Sequence, residues 1–84
     1  MKLTTVAGSP IANQISEAIS GSLPGAVVMV TVGQPGHFSI SVRWAEFAGK
    51  NRLTCQRLVY KAIAPLMSGS AAPVHAVDQL DTSV

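Results

Sequence analysis

Three side chains in this sequence have the chemistry to bind a transition metal. They are His37, Cys55 and His75, the two histidines and the single cysteine of the chain. Neutral imidazole and thiolate are good ligands for iron and zinc. With one cysteine the chain can form neither an internal disulfide nor a site of four cysteines. A centre that needs four such ligands would therefore take at least one of them from a partner.

The carboxylates do not form a catalytic set with these residues. Asp78 and Asp81 lie in or just after the last predicted strand, and Glu17 and Glu46 lie elsewhere in the chain. The sequence offers no nucleophile with an adjacent base and an orienting group, and no phosphate-binding loop. We therefore expect a binding protein and not an enzyme.

Four of the six basic residues fall within one short segment, namely Lys50, Arg52, Arg57 and Lys61. On a helix, Arg57 and Lys61 would lie one turn apart on the polar face. Such a group is most often a solvated surface. It can also contact nucleic-acid phosphates, or dock an acidic or glutathione-bearing partner. The sequence leaves these three interpretations open.

The composition is that of one small domain. A chain of 84 residues buries only about 60–65% of the surface that its unfolded form exposes, so its core must be simple. Apolar residues make up 48% and charged residues only 12%. A surface so poor in charge favours an apolar or neutral patch that contacts a partner protein. We expect a single domain over residues 1–84, with flexible ends at 1–8 and 82–84.

Nothing in the sequence predicts export or membrane insertion. Residues 1–6 lack the apolar stretch of a signal peptide. The longest apolar run, residues 26–30, is far shorter than the roughly 20 residues that a membrane span requires. A single thiol also fits a reducing compartment. We therefore expect a soluble, cytoplasmic protein.

Two amphipathic helices are predicted. Ser9 and Pro10 suit the N-cap and the first position of one helix, and apolar residues then recur at helical spacing. Asn51 is a suitable N-cap for the other. Its apolar face would consist of Cys55, Leu58, Val59, Ala62, Ile63, Leu66 and Met67. Pro65 should kink this second helix or end it near Ala64.

Three strands complete the pattern. Residues 27–32 are mostly β-branched, residues 33–36 have turn chemistry, and residues 37–44 alternate between an apolar and a polar face. Residues 45–48 form a helical turn. The last strand covers residues 74–80, followed by a short tail.

The predicted element order is α-β-β-α-α-β. About thirty residues, mostly helical, separate the second and third strands, which suits a right-handed crossover that places these strands parallel. We therefore predict an α+β fold with a three-stranded mixed sheet and helices packed on one face.

Four blocks of the sequence resemble the BolA family. They are residues 37–42 (HFSISV), 47–50 (FAGK), 56–60 (QRLVY) and 74–77 (VHAV). Each block is weak alone, but together they occur in the family's order and at family-like spacing over roughly residues 11–82. The resemblance implies a fold like that of the type II KH domain.

The resemblance also implies a partner and a shared cofactor. BolA proteins typically form heterodimers with monothiol glutaredoxins and share a [2Fe–2S] cluster with the glutaredoxin cysteine and glutathione. His75 matches the histidine of the family's last block, so the resemblance implies that it ligates the cluster. Some members are described as DNA-binding regulators, which would give Lys50, Arg52, Arg57 and Lys61 phosphate contacts.

The sequence departs from the family pattern at two functional positions. The family's second ligand is a histidine or cysteine in the loop between the first two strands, and Gln34, a poor iron ligand, stands there. The nearest imidazole that could replace it is His37. In addition, Cys55 and Gln56 replace the usual Arg-His pair.

The ligand count agrees with an adaptor. A [2Fe–2S] cluster needs four ligands, so this chain would carry none when alone. We predict that His75 ligates, with His37 or solvent as the second ligand, and that Cys55 is a buried thiol. The family's arginine at that position argues instead for access to solvent. The alternatives are a glutaredoxin complex without a cluster, a DNA-binding regulator, and a homodimer without metal.

Overall fold

The computed structural model describes residues 10–69 and 71–84. The expected N-cap Ser9 and the expected flexible residues 1–8 lie outside the described residues. In chain order, the elements are helix α1 (Pro10–Ser22), strands β1 (Val27–Val32) and β2 (His37–Arg43), a 3-10 turn (Ala45–Phe47), helix α2 (Arg52–Met67) and strand β3 (Ala76–Ser83). The predicted order is confirmed, and the helical turn predicted at residues 45–48 is the 3-10 turn.

The strands form one mixed sheet in the order β1-β2-β3. β1 and β2 are antiparallel, and Val32 lies opposite Phe38 at the loop end of this pair. β2 and β3 are parallel, beginning with His37 opposite Ala76. The parallel pair requires a crossover, and α2 provides it. The predicted three-stranded mixed sheet is therefore confirmed.

The hydrophobic core lies between the two helices and one face of the sheet. Along β2, buried residues alternate with half-buried ones, as the sequence predicted. The largest apolar side chains with almost no exposure come from both helices, from β1 and β2, and from the segment before β3: Ile15, Ile19, Val28, Val30, Val42, Val59, Ile63 and Val74. Burial of each such side chain stabilises the fold by about 1.5–3 kcal/mol.

The segment between β2 and α2 is fixed by side-chain contacts. The indole N–H of Trp44 donates to the Pro24 carbonyl at 2.8 Å, and the Trp44 ring meets that of Phe47 edge to face at 5.3 Å. The Asn51 side chain accepts from the backbone N–H of Thr54 at 2.8 Å. The predicted N-cap of the second helix is therefore confirmed.

Helix α2 continues beyond Pro65. The predicted end near Ala64 is wrong, because the helix runs to Met67 with Pro65 inside its last turn. Leu66 and Met67 pack against the core, and the Leu66 carbonyl accepts from the Val74 N–H at 3.1 Å. An interior proline costs roughly 3 kcal/mol. Burial of two large apolar side chains contributes a comparable amount.

Strand β3 also differs from its predicted bounds. It begins at Ala76 instead of Val74 and ends at Ser83 instead of Leu80. Residues 81–83, expected to be a tail, pair with the last three residues of β2. Their Asp, Thr and Ser side chains give no apolar strand signal, and the strand forms because β2 satisfies their backbone groups.

Within the described residues, no helix is both long and apolar enough to cross a membrane.

Candidate functional site

The loop between β1 and β2 is closed by two backbone hydrogen bonds. The Gly33 N–H donates to the His37 carbonyl at 2.9 Å, and the His37 N–H donates to the Gln34 carbonyl at 2.8 Å. Gln34 is exposed in this loop, whereas His37 begins β2. The hairpin therefore holds His37 and Gln34, which stands where the family pattern has a ligand, three residues apart at one end of the sheet.

The same loop also holds the segment that leads into β3. The Gly36 carbonyl accepts from the N–H groups of both His75, at 2.8 Å, and Ala76, at 3.0 Å. His37 directly follows Gly36 in the chain. The fold therefore brings both predicted histidines to one end of the sheet, although 38 positions separate them in the sequence.

The imidazole of His75 lies directly against Gly36. A Cβ atom added at Gly36 would come within 2.8 Å of Cγ of His75, and Gly36 has a φ of +79°. Both the close approach and the positive φ require glycine at this position. His75 is exposed and borders a surface cavity of about 270 Å³ with residues Met67, Gly69, Ala72 and Val74. Its ring is held by the loop and is accessible from outside.

The imidazole of His37 has a partner that the sequence analysis did not identify. Its Nδ1 lies 2.9 Å from Oδ1 of Asp78, and the two side chains are 38% and 52% exposed. An ionised carboxylate only accepts hydrogen bonds, so Nδ1 carries the proton and donates it. In the neutral imidazole, whose two nitrogens share one proton, Nε2 is then left with a lone pair.

Asp78 stands at a bulge in β3. Phe38 lies opposite Val77 and the next residue, Ser39, lies opposite Gln79, so Asp78 is an extra residue in the ladder. Such bulges re-aim side chains. No local sequence signal marks this irregularity, because Asp78 follows an apolar strand segment and could equally have been a strand end.

The two histidines approach the loop from different sides. His37 alternates with the buried Phe38 and therefore belongs to the sheet face turned away from the helices. His75 borders the cavity beside Met67, at the C-terminal end of α2. The two imidazoles therefore have separate surroundings.

Cys55 lies in the core and away from this loop. It is 5% exposed, and its Sγ lies 3.9 Å from the Lys50 carbonyl oxygen and 4.0 Å from that of Phe47. The prediction of a buried thiol is confirmed. The access to solvent implied by the family's arginine at this position is not seen.

The two imidazoles have the donor chemistry of metal ligands. Among residues 10–69 and 71–84, no group of three or more His, Cys, Asp or Glu side chains is arranged to hold a metal ion. His75 offers an exposed imidazole, and His37 offers a free Nε2. Neutral imidazole is a good iron ligand and ligates one iron of Rieske clusters. Each of these two residues could therefore supply one ligand, on its own side of the loop.

The four predicted basic residues are all exposed: Lys50, Arg52, Arg57 and Lys61. Lys50 and Arg52 border a cavity at the end of β3, and Lys61 borders another beside the end of α1. Lys50 Nζ donates to the Glu46 carbonyl at 2.7 Å. Within the part of the chain that the structure describes, no carboxylate oxygen lies within ion-pair distance of these four side chains.

Comparison with known proteins decides the family. The family described as BolA-like protein matches residues 15–83. This chain belongs to the BolA family. That membership confirms the resemblance drawn from the four sequence blocks. A comparison with curated proteins gives no significant match.

Solved BolA structures share the fold. A bolA protein homologue from Coxiella burnetii is 30% identical with a TM-score of 0.70, covering 86% of this chain and 87% of that one. A bol-like protein from Babesia bovis is also 30% identical, with a TM-score of 0.60 and coverage of 89% and 88%. BolA1 from Arabidopsis thaliana, 17% identical with a TM-score of 0.69 and coverage of 89% and 93%, supports the fold alone.

Proposed function

We propose that this BolA-family protein is an adaptor that binds a monothiol glutaredoxin and contributes His75 to a shared [2Fe–2S] cluster. The observation that carries the proposal is the exposed imidazole of His75, held against Gly36 at the loop end of the sheet. A ligand for a shared cluster must be both ordered and reachable from a second protein. His75 meets both requirements.

The proposed role is binding and not catalysis. A [2Fe–2S] cluster needs four ligands, and the chain has two histidines and a buried cysteine to offer. The glutaredoxin cysteine and glutathione would supply the thiolates, so the free adaptor carries no cluster. Once bound, the cluster would serve iron–sulfur cluster assembly, the trafficking of clusters or the sensing of iron.

The residues around His75 would orient it for this role. Its backbone N–H is fixed by the Gly36 carbonyl, and its ring rests on the Gly36 Cα because no side chain is present there. Preorganised ligands bind more tightly, since less side-chain freedom is lost on binding. The loop would thus hold the imidazole in place before the partner arrives.

A titration of the chain with a monothiol glutaredoxin tests partner binding. Calorimetry would be run with the apo proteins, and again anaerobically with glutathione, iron and sulfide. We expect a one-to-one complex whose affinity rises at least tenfold when the cluster can form, because ligation by His75 adds to the protein contacts. Absence of a complex under both conditions would contradict the proposal.

A DNA-binding regulator is the second candidate. The observation that favours it is the set of four exposed basic side chains without carboxylate partners in the described residues. These are Lys50, Arg52, Arg57 and Lys61. Phosphate contacts would release counterions, so the affinity for duplex DNA would fall steeply with salt. No binding to a duplex at low salt would remove this candidate.

A further inference from the structure

The His37–Asp78 pair has the arrangement of an imidazole prepared for metal coordination. Histidines that bind metals almost always donate their other ring N–H to a carboxylate, a carbonyl or water, which fixes the tautomer and orients the ring. Here Nδ1 of His37 lies 2.9 Å from Oδ1 of Asp78. The nitrogen left to coordinate a metal is therefore Nε2.

The bulge in β3 is a second and independent observation. Asp78 is the residue without a ladder partner, inserted between Val77 and Gln79. In a regular strand it would take the register position opposite Ser39. This carboxylate lies at the loop end of the sheet, where a Cβ added at Gly33 would lie 3.7 Å from Oδ2 of Asp78. The carboxylate therefore forms a hydrogen bond with His37 and lies beside the loop between β1 and β2.

We infer that Asp78 is a positioning residue that makes His37 an Nε2 ligand for a metal ion, in place of the loop ligand that Gln34 cannot provide. The inference deepens the proposed function, on which its relevance to a shared cluster rests. Asp78 acts by orienting His37 and does not itself touch the metal. A purely structural role, in which the pair only joins the loop to β3, would leave the metal affinity of His37 unaffected by Asp78.

The test uses the free chain with ¹⁵N-labelled histidines and zinc chloride as the probe. Zinc is diamagnetic and binds imidazole, so NMR reports the tautomer and the coordinating nitrogen of His37 directly. At mildly alkaline pH we expect a proton on Nδ1 and a zinc-dependent shift of Nε2. Asp78→Ala should remove the tautomer preference and weaken zinc binding at His37 by 10- to 100-fold, the usual effect of losing such a partner.

Two further variants separate positioning from general electrostatics. Asp78→Asn removes the charge but keeps an oxygen acceptor, so it should retain the Nδ1–H tautomer and lose less affinity than Asp78→Ala. Asp81→Ala removes the same charge from an exposed position of the same strand and should leave His37 unchanged. Equal losses in Asp78→Ala and Asp81→Ala would overturn the inference. Coordination through Nδ1, or no effect of zinc on His37, would also overturn it.

The outcome is independent of glutaredoxin. Zinc binding at Nε2 of His37 that depends on Asp78 would support the inference even if no coloured complex with glutaredoxin formed, which would contradict the proposed function alone. A coloured complex, together with no binding of zinc at His37, would uphold the proposed function and overturn the inference. The two ideas can therefore fail separately.

Discussion

At the residue scale, three groups meet around the β1–β2 loop: His75, His37 with Asp78, and Gly36. The sequence identified His75 and His37 because their residue types and the family blocks marked them. It missed Asp78, because the contact with His37, 41 positions earlier in the chain, exists only once β3 pairs with β2. It also gave no role to Gly36, since the close approach of the His75 ring exists only in the folded chain.

The contact between Gly36 and His75 gives a prediction with a matched control. Gly36→Ala and Gly49→Ala both place a side chain on a backbone of positive φ, +79° and +81°, but only the Gly36 Cβ would meet another group. Positive φ costs roughly 1–2 kcal/mol for a residue with a Cβ. We expect Gly36→Ala to lower the free energy of unfolding by about 1 kcal/mol more than Gly49→Ala, and to shift the NMR signals of the His75 ring. Urea denaturation and NMR check this, and equal losses without a His75 shift would contradict it.

At the scale of the elements, the helices and the hairpin could be predicted from apolar periodicity, turn residues and the Asn51 cap. Two boundaries could not. β3 extends to Ser83 because its polar residues 81–83 pair with β2. Their side chains give no apolar strand signal in the sequence. α2 passes Pro65 because Leu66 and Met67 gain core contacts. Tertiary contacts set both ends, and these contacts cannot be predicted from a local sequence pattern.

Pro65 gives a prediction on helix stability. Pro65→Ala restores a backbone N–H and removes the clash of the ring with the preceding turn. The unfolded chain also becomes more flexible, which offsets part of the gain. We expect the free energy of unfolding to rise by on the order of 1 kcal/mol, as measured by urea denaturation. A decrease would mean that the last turn of α2 depends on the proline.

The N-cap gives a second prediction at this scale. Asn51→Ala removes the side-chain oxygen that accepts from the Thr54 N–H, and loss of such a cap costs about 1 kcal/mol. Asn13→Ala is the control, because Asn13 is exposed within α1 and alanine is the better helix former there. Thermal unfolding should show a lower midpoint for Asn51→Ala than for the wild type, and no lower midpoint for Asn13→Ala. Equal midpoints for the two variants would contradict the assigned cap.

At the scale of the whole molecule, the low charge content predicted an exposed apolar patch. The exposed apolar side chains on β1 are Val27, Met29 and Val32. The basic residues are exposed too, but they border separate cavities. The composition therefore predicted the character of the surface, whereas the placement of its charges required the fold.

This distribution of charge gives a prediction on DNA. With a net charge of +2 and four exposed basic residues, any duplex binding should be weak and independent of sequence. We expect it to fall at least tenfold between 50 and 200 mM salt. Replacing both Arg57 and Lys61 with Ala should reduce the salt dependence. Fluorescence anisotropy with two unrelated duplexes checks this, and tight binding to one duplex in strong preference to the other would favour the regulator.

The most direct test of the central claim is the visible circular dichroism of the reconstituted complex. The wild type, His75→Ala and His37→Ala would each be combined anaerobically with a monothiol glutaredoxin, glutathione, iron and sulfide, and isolated by size exclusion. We predict a coloured heterodimer for the wild type, and loss or a clear change of its cluster bands in His75→Ala. A wild-type spectrum retained in full by His75→Ala would contradict the claim that His75 ligates a shared cluster.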